Sequence, residues 1–317
     1  CQILQDALAL CSPTRTPTLQ ATVQQALGWL LWTMSRVPEG LAHLREARAA
    51  FRVAGHIQGE ATTLSSLAYV LFKTGKSQSA RTMFLECIAL LKQTGDPTAP
   101  RQALSKLANL ERSIGDLESS LDHFDQSIVL QNQVGDVLNS LINRIDRAST
   151  LSAMSRFEEA EPEIMEIIAA CRQREAVMLE GMAIAALGDL CIETDRVDQA
   201  IDHYRFAYDT FKGKIPVLEA SMGMSLVVAL ARAGAIDELN ELDHLTLGQE
   251  QYVEGMPRDQ MCHIRNLAEV RLAQNEPAAA YSHIARARVI ANDIEGGCNP
   301  KILAELDELE HRIIGDK

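Results

Sequence analysis

Aromatic side chains make up only 4% of this 317-residue chain, although hydrophobic residues together reach 47%. A core so poor in rings must be built from Ala, Leu, Ile and Val, the makeup of closely packed helices. Basic charge is also short: 30 Lys and Arg face 43 Asp and Glu, for a net charge of −13. That balance argues against a nucleic-acid backbone or an anionic membrane as ligand, since both select for clustered cations. No apolar run approaches the roughly 20 residues that span a bilayer; the longest extends from Met222 to Ala231. No leader of the basic-then-apolar kind is recognisable. The seven cysteines lie far apart without a C-x-x-C pair, which reads as the reduced thiols of a cytoplasmic protein. Linkers rich in Pro, Gly or Ser are missing too, although the chain is longer than one compact core usually grows.

What the chain does have is a period of forty. Leu27-Gly28, Leu67-Ala68, Leu107-Ala108, Ala148 and Leu187-Gly188 follow one another at that spacing. A repeat of this length cannot bury its apolar face alone, so copies must stack, and the core then lengthens in one dimension. Each copy reads as two helices. Leu64, Leu67, Ala68, Leu71 and Phe72 have the three-and-four spacing of one buried helix face, and Ala80, Met83, Phe84, Cys87, Ile88 and Leu91 continue it in a second helix. Turn residues between the paired helices are Gly75, Gly115, Ser155, Asp195, Gly234 and Asn275, while Gly55, Gly95 and Gly135 close successive units. Ser77 is expected to cap the helix that follows Gly75.

In the second helices small residues align at Gly40, Ala80, Ser120, Ala160, Ala200 and Ala280, and larger ones at Leu44, Phe84, Phe124, Ile164, Tyr204 and Ile284. The small positions permit close helix approach and the large ones fill the space between neighbours. The spacing predicts one solenoid over 1–317, with a half unit at 1–18. Full units follow at 19–59, 60–99, 100–136, 137–176, 177–216, 217–256 and 257–298, and a capping or linker helix at 299–317. Leu4, Ala7 and Leu10 stand forty before Leu44, Ala47 and Ala50, so the chain opens inside a repeat and reads as a segment of a longer protein. In the sixth unit Val227 takes the small position and Leu239 replaces the expected alanine, which reads as drift of the pattern rather than as a local widening.

The L-[GA] pair, the turn glycine, the alanine about five residues on and the large residue four beyond that resemble the tetratricopeptide repeat. The second unit fits best, through Leu67, Ala68, Gly75, Ala80, Phe84 and Cys87. The resemblance implies an all-α, TPR-like α-solenoid, a right-handed superhelix of antiparallel helix pairs, in the long-helix variant found in large bacterial regulators. Departures are Arg147, in place of a leucine, and Glu111 and Arg112, which interrupt an apolar face. Family members that clamp a carboxylate tail pair Lys with Asn on the first helices. Asn109 matches one such position, but Ser105 stands where the lysine is needed, so that activity is not carried over.

Repeat geometry turns the first helices toward the groove. Trp29 and Trp32 occupy the first of them, and Tyr69 and Phe72 stand forty residues later, each pair three apart and thus on one face. Four clustered aromatics suit an apolar side chain or amphipathic helix from a partner, or else fill space between helices. Further along, the same face turns polar with Gln102, Asn109, Arg112, Asn139, Asn143, Asp146 and Asp189, and amides can pair with the backbone of an extended peptide. These eleven residues are the candidate partner-binding groove; a solvated groove wall has the same composition.

No catalytic, cofactor-binding or metal-binding residue is assigned. His43, His123, His203 and His283 recur every eighty residues, too far apart to share a metal, and are placed on the convex surface. Gly75-Lys76-Ser77 mimics the end of a phosphate loop, but Val70 stands where its first glycine should be and no strand precedes it. The expectation is a non-catalytic protein- or peptide-binding sensor region of a larger cytoplasmic regulator, with no contact to nucleic acid or membrane. The rivals are a passive scaffold that self-associates through its open N-terminal edge or C-terminal helix, and a regulatory region attached to a diguanylate cyclase or nucleotide-switch ATPase.

Overall fold

The computed structural model describes Asp6 and residues 17–247, 249–294 and 299–315, and every element over this range is helical. The half unit expected at 1–18 lies almost entirely outside the described residues. Five helix pairs follow one another: α1 (Pro17–Thr33) with α2 (Val37–Val53), α3 (Ile57–Lys73) with α4 (Ser77–Lys92), α5 (Arg101–Ile114) with α6 (Leu117–Gln133), α7 (Val137–Ala153) with α8 (Phe157–Gln173), and α9 (Val177–Glu193) with α10 (Val197–Phe211). Then comes α11 (Pro216–Ala233), followed by short pieces, α12 (Ile236–Glu241), a 3₁₀ turn (Asp243–Leu247) and α13 (Glu250–Val253). The pair α14 (Pro257–Ala273) and α15 (Pro277–Asn292) and a last helix, α16 (Pro300–Gly315), complete the chain.

The pairs are made by their turns. Gly75, Gly115 and Gly234 take the left-handed conformation that ends a helix, and Ser155, Asp195 and Asn275 adopt it at the equivalent places with φ of 58°, 60° and 63°. Between units Gly55, Gly95 and Gly135 do the same, and Glu175 takes over forty residues after Gly135 with φ of 54°. Such a conformation costs an ordinary L-residue roughly 1 kcal/mol or more, so its recurrence at fixed spacing reflects the architecture.

Packing follows the small-and-large alternation. A Cβ on Gly28 would lie 2.8 Å from the Gly40 carbonyl oxygen, so α1 and α2 cross backbone to backbone. Ala68, Ala108 and Ala148 are fully buried at the following small positions, and Phe84, Phe124 and Ile164 are fully buried at the large ones. The tetratricopeptide-like fold is therefore a continuous TPR-like α-solenoid, its core passing from cluster to cluster along the stack. Adjacent first helices touch each other, α1 with α3, α3 with α5, α5 with α7 and α7 with α9, to an extent the second helices do not. The first helices thus form the inner wall.

Three expectations need correction and one gains detail. The sixth unit has not merely drifted: its second helix is replaced by the three short pieces after α11. Ser77 does not cap α4, which starts from Lys76; Ser77 is buried and its hydroxyl accepts a 2.8 Å hydrogen bond from Arg258 of α14. The four histidines all lie on the second helices, away from the inner wall. Each is half-buried, with His43 bonded to Gln24 of the paired helix and His123 Nδ1 lying 2.7 Å from a Glu111 carboxylate oxygen. Finally, α11 extends the apolar run read from sequence at both ends. Among the described residues it is the one helix long and apolar enough to cross a membrane, and here it packs against α10 and α14.

The stack also bends back on itself. Lys73, at the end of α3, pairs with Asp259 of α14 at 2.6 Å, and Arg258 reaches both Ser77 and, at 3.3 Å, the Ser113 carbonyl oxygen of α5. A Cβ added to Gly75 would lie 3.5 Å from Pro257 and one added to Gly115 3.6 Å from Pro300, and Lys301 of α16 pairs with Glu193 of α9 at 2.6 Å. Helix α16 covers the apolar edge of the last pair with Leu306, Leu309 and Ile313, all buried. Its other end faces the inner wall of α5 and α9, so the last three helices close the groove.

Candidate functional site

The aromatic residues of the inner wall form a cluster and an outlier. The Trp29 and Trp32 ring centroids are 4.8 Å apart, and Tyr69 lies 5.8 Å from the first and 5.4 Å edge-on from the second. Such tilted and edge-on contacts favour the ring quadrupoles and hold the three together. Trp29 remains 41% exposed, so its face is offered to the groove. Trp32 packs against the core. Phe72, one turn beyond Tyr69, leaves this cluster and joins Tyr69 in lining a partly open space.

That space is a cavity of about 510 Å³ between α3, α5 and α7 on one side and α14 and α16 on the other. Tyr69, Phe72, Asn109 and Arg112 line it from the inner wall; Arg258, Met261, Cys262 and Ile302 line it from the closing helices. A neighbouring cavity of about 290 Å³ shares Arg112, Ser149 and Ala153 and continues past Asp189, Tyr204, Arg232 and Arg265. Arg112 therefore stands between the two. Its guanidinium donates to Asn109 Oδ1 at 2.9 Å and approaches Asp146 at 3.3 Å, while Asn109 Nδ2 donates to the other Asp146 oxygen at 3.1 Å. Asp146 lies behind and fixes both.

In the second cavity the Tyr204 hydroxyl donates to Asp189 Oδ1 at 2.6 Å. A Cβ on Gly188 would come within 2.9 Å of the Tyr204 ring, so the repeat's small residue is what lets this large one sit against α9 and reach the groove. Surrounding protein pushes the Asp189 carboxyl above the usual carboxylate range, an effect that the Tyr204 hydrogen bond and the Arg112 charge oppose. Tyr204 itself is pushed well above the ordinary phenol range by burial, and further by Asp189. Across the cavity Arg232 makes a two-pronged pair with Glu269 at 2.7 and 3.1 Å. Arg265 approaches Glu305 at 3.2 Å. Ser152 is buried with its hydroxyl unpaired, and Arg112 Nε and Asn266 Oδ1 are likewise buried and unpaired.

The structure thus brings Tyr69, Phe72, Asn109, Arg112 and Asp189 to two joined cavities, with Trp29 and Trp32 beside Tyr69 and Asp146 behind Arg112. It does not bring three of the expected residues there. Asn143 is only 2% exposed; it accepts from Ser105 and donates to Ser127 and Gln131, so it ties helices together inside the wall. Asn139 bonds Asp136 at the start of α7, and Gln102 is exposed on α5 and lines neither of these two cavities. An amide on the first helices can serve packing as readily as a ligand, and composition does not separate the two uses. Tyr204, Arg232, Arg258, Lys301 and the rest of the closing wall were missed. Tyr204 was legible as a polar-tipped residue at a large core position, whereas nothing local places α14 opposite α3. Among the described residues no group of three or more His, Cys, Asp or Glu is placed to hold a metal ion.

A model of the tetratricopeptide repeat family matches residues 59–132, the second and third helix pairs. No curated protein matches the sequence. Among solved structures, aspartyl phosphate phosphatase F from Bacillus subtilis superposes with a TM-score of 0.67 at 11% identity, over 90% of this chain and 73% of its own. A Rap protein complexed with Competence and Sporulation Factor covers 100% of both chains, with a TM-score of 0.56 and 11% identity. The tetratricopeptide repeat sensor protein of the STAND signal-transduction ATPase class from Pyrococcus horikoshii gives 0.56 and 11%, over 93% of this chain and 44% of its own. At these identities the similarity is one of fold. The chain carries tetratricopeptide repeats over the matched residues, and its architecture is TPR-like throughout.

Proposed function

We propose that this chain is the docking or sensing region of a larger bacterial signalling or transcription-regulatory protein, acting in the cytoplasm and without chemistry of its own. A protein or peptide segment enters along the inner wall, its apolar side chain meeting Trp29 and Tyr69 and its polar backbone meeting Asn109 and Arg112. The observation that carries this reading is the exposed face of the Trp29, Trp32 and Tyr69 cluster at the mouth of a groove otherwise lined by polar residues. Exposed aromatic anchors beside hydrogen-bonding groups are the usual composition of a binding hot spot. A similarly folded structure holding Competence and Sporulation Factor, and another described as a repeat sensor in a signal-transduction ATPase, support the same use of the fold. Closure by Arg258, Lys73 and Lys301 supplies the contacts whose making or breaking would report occupancy to an attached domain.

Trp29 and Trp32 are the only two tryptophans in the chain, so tryptophan emission reports this surface directly. Peptides selected from a displayed random library should shift that emission on binding. Trp29→Ala combined with Phe72→Ala should weaken them by about tenfold or more while the helical circular dichroism is retained. Selected peptides that bind the double variant as tightly as the parent would end the proposal.

A further inference from the structure

We propose that the smaller cavity is a binding site for a small primary ammonium ion on a hydroxyl-bearing body, with Asp189 as its anchor. The site lies between α5, α7, α9, α10 and α11 on one side and α14 and α16 on the other. It goes beyond groove recognition of a protein segment and does not depend on it.

The first observation is how the charges pair. Of the seven charged residues on the lining, six have an ion-pair partner: Arg112 with Asp146, Arg232 with Glu269, Arg265 with Glu305 and Lys301 with Glu193. Asp189 is the seventh and has none. The Tyr204 hydroxyl donates to its Oδ1 at 2.6 Å, which leaves Oδ2 for a ligand. Asp189 is exposed, and because it stands on the inner wall that exposure opens into the cavity. A ligand can therefore reach its anchor. The surrounding protein nonetheless pushes the carboxyl above the usual carboxylate range, an effect that a bound cation would oppose.

The second observation is a set of unmatched polar atoms on the same lining. Ser152 is only 7% exposed and its hydroxyl has no partner; Asn266 Oδ1, Arg112 Nε and Arg265 Nε are likewise buried and unpaired. Folded proteins rarely leave such groups unmatched, so several around one cavity point to a polar occupant. Asp189 Oδ2, Ser152 Oγ and Asn266 Oδ1 are acceptors, and an ammonium group brings three donors and no acceptor. The two arginine N–H groups need an acceptor, which a hydroxyl supplies while it donates elsewhere. A volume of about 290 Å³ stands at the lower end of small-molecule sites, so the body must be small. A divalent metal fits poorly, since calcium takes about six or more oxygen ligands and Asp189 is the lone unpaired carboxylate here. Because the lining comes from both walls, the ligand would also hold α14 and α16 in place.

The test uses D-glucamine as probe, with D-sorbitol and D-gluconate as its neutral and anionic counterparts of equal chain length, in calorimetric titration of the whole chain. The amine should saturate one site, and the other two should bind about tenfold or more weakly. Asp189→Asn keeps the shape and an acceptor for Tyr204 but removes the charge, and should weaken the amine by about tenfold or more. Ser152→Ala removes a hydroxyl that has no partner in the free protein. It should weaken the amine by about threefold or more while the melting temperature holds or rises, whereas loss of a structural hydroxyl would lower it. Equal binding of sorbitol and glucamine overturns the proposal, as does parent-like binding in either folded variant or no saturation by about 10 mM amine. If neither variant folds, the amine-against-sorbitol comparison on the parent chain still decides. Trp29→Ala combined with Phe72→Ala, neither of which lines this cavity, should bind glucamine as the parent does. Loss of glucamine binding in that folded double variant would place the ligand elsewhere and overturn the assignment, while its retention alongside loss of selected peptides would separate this site from the groove reading.

Discussion

The fifth and sixth units follow the same plan and end differently. In the fifth, Gly188 faces Tyr204, and α10 runs unbroken from Val197 to Phe211. In the sixth, Val227 fills the small position and Leu239 the alanine position, both fully buried. Four residues after Leu239, where the other second helices carry Leu, Phe, Ile or Tyr, stands Asp243. A continued helix would drive that carboxylate into the core, an expensive burial. The chain instead breaks, and Asp243 turns to pair with Arg271 at 2.9 Å. Turn positions tolerate exchange of Gly for Ser, Asp or Asn, but the large buried position does not tolerate loss of its side chain. The repeat is specified by its filler more than by its punctuation.

That contrast is most exposed to a truncation on each side of it. Phe84→Ala, at the filled position of the second unit, should cost about 3–5 kcal/mol through the cavity it leaves. Asp243→Ala, at the same register in the sixth, should cost less than about 1 kcal/mol, since it removes a partly exposed ion pair. Denaturant midpoints measure both, and similar losses would break the comparison.

A smaller effect separates filler from turn. Glu175 pays for the backbone conformation that Gly135 adopts freely. Glu175→Gly should therefore raise stability by up to about 1 kcal/mol, and Gly135→Ala should lower it by about 1 kcal/mol. Thermal melts of the two variants should move in opposite directions, and a fall with Glu175→Gly would show that its side chain matters more than its φ.

The smallest effect is pH-dependent and lies within the regular repeats. The hydrogen bond to the buried Glu111 raises the His123 pKa, against the opposing effect of burial. A raised folded-state value means the stabilisation is fully present below the unfolded imidazole value, near 6.5, and is lost as pH rises through the folded value. His123→Gln should thus lower the melting temperature at about pH 5, by a few tenths to about 1 kcal/mol in stability, and by less at about pH 8.5. An equal loss at both pH values would mean the contact is steric.

Local physics carried much of the fold in one dimension. The forty-residue spacing, the helix pairs and the turn residues at Gly75, Ser155, Asp195 and Asn275 were legible because each depends on a few neighbouring residues: an apolar face recurs at helical spacing, and a left-handed turn selects a short list of side chains. The clustering of Trp29, Trp32 and Tyr69 followed from the same arithmetic, whereas the departure of Phe72 from them did not. Tertiary structure alone decided that Asn143 is an internal strut, that Ser77 receives Arg258, and that Lys106, Arg112 and Ile302 share one cavity. Those facts depend on a small rotation between successive units, summed along the whole stack until α14 returns to α3. No single helix contains that sum, because each interface contributes only a fraction of the bend.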